Sequence, residues 1–262
     1  MTDAAADHQE TGAAEPAVRR ITLHDVRAAL VKGVDDFHAR PTHLPFLALF
    51  YTLVALLAAR AAGGGAFVAL IFPILAGFTL IGPVVALGLY ELSRKREHGH
   101  AVAWGDMLGV ARSPAIKPIV GLGAILLAIF LVWLAAAWAI YALTLGPGAP
   151  ASPGAFVTAV LTTQAGWSLI VVGNLVGLVF AITVLTISVV SFPMLLDRHC
   201  TLRTAVRTSA RAVRTSPVPM LVWGAVVAGS LLGGAVPALL GLAFVMPVLG
   251  HATWHLYRAT VR

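Results

Sequence analysis

The sequence predicts an all-α, polytopic membrane protein that crosses the bilayer about six times. Two compositional observations and one feature of the charge pattern support this fold class. Of the 262 residues, 59% are hydrophobic and 11% are charged, whereas a soluble domain carries about 25% charged residues. Two long stretches, Ala61–Tyr90 and Ile119–Leu196, contain no Asp, Glu, Lys or Arg. A bilayer accommodates such runs because each crossing needs about 20 apolar residues.

The apolar runs are divided by turns rich in Gly and Pro, which allows the spans to be placed. Between the third and fourth spans lies an uncharged segment, Thr144–Gly166. Its apolar patch, Phe156–Leu161, fits either an interfacial or shallow re-entrant turn or an ordinary loop. The predicted spans are Leu44–Ala62, Ala66–Tyr90, Ile119–Leu145, Trp167–Pro193, Pro219–Ala235 and Ala238–Tyr257.

The Lys and Arg residues predict the orientation, because cytoplasmic loops carry an excess of them. Seventeen of the 18 lie in the N-terminal segment, the second and fourth loops and the C-terminus, and Arg60 is the exception. We therefore expect a multi-pass protein of the cell inner (cytoplasmic) membrane with both termini in the cytoplasm. The net charge of +7 lies beside the apolar spans, which favours the lipid bilayer over nucleic acid as the partner.

An amphipathic segment that ends at proline precedes the first, third and fifth spans, which suggests a threefold internal repeat. In the first segment Leu23, Val26, Leu30, Val34 and Phe37 recur at helical spacing. We expect three hairpins of spans, each preceded by a cytoplasmic amphipathic helix, and a disordered tail at residues 1–20. The single membrane domain is 21–258, with pseudo-repeats at about 21–91, 98–197 and 201–258, and the amphipathic segments are Ile21–Arg40, His100–Ser113 and Thr201–Ser216.

The third amphipathic segment carries four arginines that we expect at the membrane surface: Arg203, Arg207, Arg211 and Arg214.

The even-numbered spans end alike, so Glu91, Asp197 and His255 occupy equivalent positions in the predicted repeat. Acids at a membrane edge need partners, because an unpaired buried charge is costly. We expect a polar cluster that closes the cytoplasmic face and fixes helix packing, composed of Glu91, Asp197, His255, Arg94, Arg198 and Arg258.

His251 and His255 are four residues apart, on one face of the last span. This spacing can hold a metal, but two ligands do not complete a site. We expect hydrogen-bonded structural histidines with His251 one turn deeper, and neither a metal nor a cofactor. The sequence contains no phosphate-binding glycine loop, and we find no nucleophile–base pair. The expected class is therefore a non-enzymatic protein.

Four segments carry a family resemblance: Gly82–Arg94, Ser191–Arg198, Ser209–Val213 and Gly250–Arg258. Together they resemble DUF2189, an uncharacterised family of predicted bacterial integral membrane proteins, some of which carry a cytochrome c oxidase label. The family has no established activity, so the resemblance implies a membrane fold and assigns no functional residue. A catalytic oxidase subunit would need several intramembrane histidines, and only His251 and His255 qualify.

Three functions remain open from the sequence. The first is an accessory or scaffold for a membrane complex, such as a respiratory complex, or for lipid. The second is a carrier or channel for a small solute, since repeats can enclose a path. The third is a haem- or metal-binding redox accessory that uses His251 and His255.

Overall fold

The computed structural model describes residues 16–39, 60, 73–74, 86–148, 151–235 and 241–262. Within these ranges the regular secondary structure is helical, apart from one isolated antiparallel bridge between Val18 and Val261. The all-α prediction is thus confirmed for the described residues. Most of the predicted spans Leu44–Ala62 and Ala66–Tyr90 and the tail before Pro16 lie outside them.

Nine α-helices and one 3₁₀ helix are described. Three segments are long and apolar enough to cross a membrane: α3, the continuous run of α5 and α6, and α8. The last helix has the same length as α8, but His251, His255 and Arg258 make it more polar. The described residues thus contain three candidate spans, and the arrangement of six spans in three hairpins stays a prediction. The elements are α1 (Leu23–Ala39), α2 (Leu87–Glu97), the 3₁₀ helix (Trp104–Arg112), α3 (Ile116–Thr144), α4 (Pro153–Thr162), α5 (Gln164–Ser188), α6 (Ser191–Arg198), α7 (Leu202–Thr215), α8 (Pro217–Ala235) and α9 (Leu242–Thr260).

Helices α3 and α5 pack through one large and one small residue. The ring of Trp133 lies against Gly177, where an added Cβ would meet it at 3.2 Å. Phe180 lies beside the same ring, with 5.6 Å between the ring centroids. Close approach at a glycine increases dispersion contact between the helices, which is the main attraction between helices in lipid.

In the segment between α3 and α5, Pro153–Thr162 forms the short helix α4, which includes the apolar patch Phe156–Leu161. The Ser152 hydroxyl accepts a hydrogen bond from the Ala155 amide at 3.1 Å, and proline occupies the first turn. A serine N-cap followed by proline is a strong helix start. Phe156 of α4 packs edge-on against Tyr141 of α3, so the apolar patch rests on the end of that helix.

Helix α1 packs antiparallel along α9. Arg19 donates to the Ala259 carbonyl at 2.9 Å near one end, and Gly33 lies against Ala252 further along. The buried face of α1 is rotated from the predicted apolar stripe, in which Leu23 and Val34 are exposed. The residues that it buries are Val26, Ala29, Gly33 and Asp36.

The other two predicted amphipathic segments also differ in detail. The second is a 3₁₀ helix, anchored by an ion pair of 2.6 Å between Lys95 and Asp106. The third is α7, which buries the small residues Ala205, Thr208, Ser209 and Ala212. Small side chains allow this helix to approach its neighbours closely.

Candidate functional site

The end of the molecule at which α1, α7 and the C-terminus meet is called the basic end here. Arg19 and Arg262 both form backbone hydrogen bonds across the Val18–Val261 bridge, with the Thr260 and Ala17 carbonyls respectively. Residues 16–20, at the end of the predicted tail, are therefore tied to the last helix.

Asp36 of α1 is the centre of a buried polar group that joins three helices. Its carboxylate accepts hydrogen bonds from Ser93 at 2.5 Å, from Arg96 at 2.5 Å and from His255 at 2.9 Å. The side chain is 8% exposed. Because its partners lie on α2 and α9, one carboxylate fixes the relative positions of three elements. Asp36, Ser93, Arg96, His251 and His255 together are called the Asp36 cluster.

The Asp36 carboxyl is ionised at neutral pH. Burial raises its pKa, but hydrogen bonds from His255 and Ser93 outweigh that effect, so its pKa lies below the usual value. The charge is balanced by Arg96 and is fully hydrogen-bonded, which is the condition under which a buried carboxylate is tolerated.

The geometry of Ser93 settles the tautomer of His251. Ser93 has one hydroxyl hydrogen, which it donates to Asp36, so it accepts from His251 Nδ1, 2.8 Å away. His251 is thus protonated at Nδ1. Its Nε2 is buried and has no hydrogen-bond partner among the described residues.

A second set of contacts links the C-terminal ends of α2, α6 and α9. The Tyr257 hydroxyl donates to Asp197 at 2.6 Å. Arg258 forms ion pairs with two acids, at 3.0 Å from its Nε to Glu97 Oε1 and at 3.5 Å from its Nη1 to Asp197 Oδ2. Trp254 donates its indole N–H to Glu97 at 2.9 Å. This set is called the Arg258 network.

The three residues that the sequence placed at equivalent positions have three different partners. Glu91 forms a bidentate pair with Arg94, at 2.8 and 2.9 Å. Asp197 belongs to the Arg258 network, and His255 belongs to the Asp36 cluster. The remaining predicted member, Arg198, donates to the Tyr257 hydroxyl at 3.3 Å.

Sequence reasoning missed Asp36 and Ser93. A signal was present, because Asp36 falls ten residues after Val26 and three after Gly33, on the face that α1 buries. An acid on the apolar face of an amphipathic helix indicates a buried partner. Ser93, the partner on α2, belongs to no sequence pattern that would identify it.

The four predicted surface arginines are all on α7. Arg203, Arg207 and Arg214 are exposed. Arg211 is half-buried and donates to the Pro16 carbonyl at 2.6 Å, so it also holds the N-terminal segment.

The two histidines of α9 are oriented by hydrogen bonds, and both lie near Asp36 Oδ2, with His251 Nδ1 at 4.0 Å and His255 Nε2 at 2.9 Å. His251 turns Nδ1 to Ser93, whereas His255 turns Nε2 to Asp36. In the part of the chain that the structure describes, no three His, Cys, Asp or Glu side chains are grouped so as to hold a metal ion.

Comparison with known proteins gives one match. The model of the family described as "Predicted integral membrane protein (DUF2189)" matches residues 71–197. No curated protein and no solved structure matches the chain. The matched range includes α2, α3, α4 and α5 and ends within α6, so it covers two of the three apolar segments able to cross a membrane. The resemblance seen in the sequence motifs is confirmed over residues 71–197, where the chain matches the model of this family of predicted integral membrane proteins.

Proposed function

We propose that the protein is a non-enzymatic accessory of the cytoplasmic membrane that binds a transmembrane helix of a second membrane protein through the outer face of α5. Both termini lie in the cytoplasm, as the Lys and Arg distribution predicts. The meeting of Val18 with Val261 supports a common side for the two ends.

Asn174 is the observation that carries the proposal. It is exposed near the middle of α5, where lipid is expected. Its amide nitrogen bonds the Ile170 carbonyl at 2.7 Å, and the amide oxygen has no partner within the described ranges. In hydrocarbon an amide gains stability from a second helix, because lipid offers no hydrogen bond.

The surroundings of Asn174 are apolar and exposed. Every third or fourth residue of the same face is large, and these side chains are 39% to 60% exposed: Trp167, Val171, Leu175, Leu178 and Ile182. An apolar stripe with one amide at its centre suits a partner helix that presents a polar side chain at the same depth.

The internal contacts are consistent with a structural role. The Asp36 cluster and the Arg258 network use their polar groups to hold helices together. The buried residues of α3, α5 and α8 include no ionisable acid or base other than the Tyr141 phenol. A carrier coupled to ions is therefore not favoured by the described helices.

Site-specific photo-crosslinking tests the proposal. A crosslinking residue at Val171 or Leu178 should capture one defined membrane protein in the native membrane. Asn174→Leu should reduce that crosslink about fivefold, because an interhelical hydrogen bond is worth about 1 kcal/mol. Thr183→Val is the matched control, since Thr183 makes the same kind of bond to Val179 on an exposed part of α5.

The crosslinked species distinguishes the outcomes. A product with a second membrane protein that depends on Asn174 supports the proposal. Crosslinks to lipid alone, to a second copy of this chain, or to a partner that Asn174→Leu leaves unchanged would refute it.

A further inference from the structure

A cleft of about 170 Å³ opens between α2, the 3₁₀ helix and the end of α6. Its polar lining consists of Glu91, Arg94, Arg112, Ser113 and His199. We propose that this cleft binds a phosphate group, supplied by the headgroup of an anionic phospholipid. The inference goes beyond the proposed accessory role and does not depend on it, because the cleft lies away from the stripe on α5.

The charge of the lining is positive once its internal pair is taken into account. Glu91 and Arg94 neutralise each other through two hydrogen bonds, and the pair leaves Nη1 of Arg94 without a bond in the described part of the chain. Arg112 and His199 are exposed and form no ion pair with any described residue. Guanidinium groups bind phosphate oxygens through short, charge-assisted hydrogen bonds.

The position of the cleft matches the level of lipid headgroups. Ser113 and Pro114 line it, and α3, which is able to cross a membrane, begins at Ile116. Two or three residues of helix rise about 3 to 5 Å, and the headgroup layer is about 5 to 8 Å thick. No side chain caps the N-terminus of α3 at Ala115, so the positive end of the helix dipole adds to the field near the cleft.

Two variants change the cleft with little risk to the fold. Arg112→Gln removes a charge from an exposed side chain at the end of the 3₁₀ helix. Gly109→Asp places an acid on the lining, where a Cβ meets nothing within 4 Å. Their controls are Arg203→Gln, an exposed arginine outside the cleft, and Gly105→Asp, which also has open space on the same 3₁₀ helix.

The measurement is native mass spectrometry of the full chain in mixed micelles of phosphatidylglycerol and phosphatidylcholine. The wild type should retain one phosphatidylglycerol in preference to phosphatidylcholine. Arg112→Gln and Gly109→Asp should each weaken this binding about tenfold, the usual effect of losing one charge-assisted hydrogen bond. Arg203→Gln and Gly105→Asp should change it by about twofold or less, as isolated surface charges do.

Competition with inorganic phosphate shows whether the cleft takes its phosphate group from a lipid or from free phosphate. If it does not displace phosphatidylglycerol, the lipid is the ligand. If it displaces the lipid with the same dependence on Arg112 and Gly109, the cleft is a site for free phosphate and the lipid assignment fails. Equal effects in cleft and control variants, or no preference for the anionic lipid, would overturn the proposal.

Discussion

At the scale of single residues, Asp36 shows how one buried charge connects distant parts of the chain. Its hydrogen-bond partners Ser93 and His255 lie 57 and 219 residues away in sequence. A buried carboxylate costs free energy unless it is fully bonded, so its partners are under strong constraint. Asp36 therefore specifies which surface of α1 meets α2 and α9.

Asp36→Asn should lower the stability of the folded protein by about 2 kcal/mol, since it removes a charge from three hydrogen bonds. This loss of stability is smaller than that expected for a fully buried ion pair, because the Arg96 side chain is 43% exposed and can turn to water. Thermal unfolding in detergent measures the loss. Asp35→Asn is the control, because Asp35 is the exposed neighbour.

The pH dependence gives a second check on the same variant. The pKa of Asp36 in the folded protein is depressed below its ordinary value of 3.8. Its contribution to folding stability is therefore present above pH 3.8 and is lost as the pH falls through the pKa of the folded state. The stability difference between wild type and Asp36→Asn should thus persist from pH 7 to about pH 5. A difference that vanishes within that window, or an equal loss in Asp35→Asn, would contradict the role given to Asp36.

At the scale of elements, α1 is held to α9 by close contact as well as by hydrogen bonds. A Cβ at Gly33 would lie 2.7 Å from the Ala252 amide nitrogen and 2.8 Å from its Cα. Backbone atoms cannot rotate away, so any larger residue must separate the helices. Gly33 is therefore required by packing, although glycine weakens a helix intrinsically.

Gly33→Ala should destabilise the protein by about 1 to 3 kcal/mol, the usual cost of overpacking. Gly229→Ala in α8 is the matched change, since nothing lies within 4 Å of its added methyl group. That control should be neutral or stabilising, because alanine favours a helix by about 1 kcal/mol over glycine. Thermal unfolding measures the stability change of both variants. An equal change in the two would show that packing at Gly33 is not tight.

The elements also show what sequence can predict here. The predicted spans Ile119–Leu145 and Pro219–Ala235 agree closely with α3 and α8, because hydropathy alone defines an apolar run. The interior face of α1 was predicted less well. Its partners come from α2 and α9, and the hydrophobic period of one helix carries no information about side chains so distant in the chain.

At the scale of the whole molecule, both described ends of the chain lie together. The Val18–Val261 bridge and the bond from Arg211 to Pro16 bring the N-terminal segment, α7 and the C-terminus to one place. An even number of crossings, with this end in the cytoplasm, satisfies both the shared location and the Lys and Arg distribution. The predicted topology therefore requires the basic end to face the cytoplasm.

Cysteine labelling in intact cells tests that sidedness most directly. With Cys200 replaced by alanine, single cysteines at Ala101 and Ala151 report on exposed positions at the two predicted sides of α3. A membrane-impermeant maleimide should label Ala151→Cys and should reach Ala101→Cys only after the cells are broken. Labelling of Ala101→Cys in intact cells, with Ala151→Cys protected, would contradict the cytoplasmic placement of the basic end.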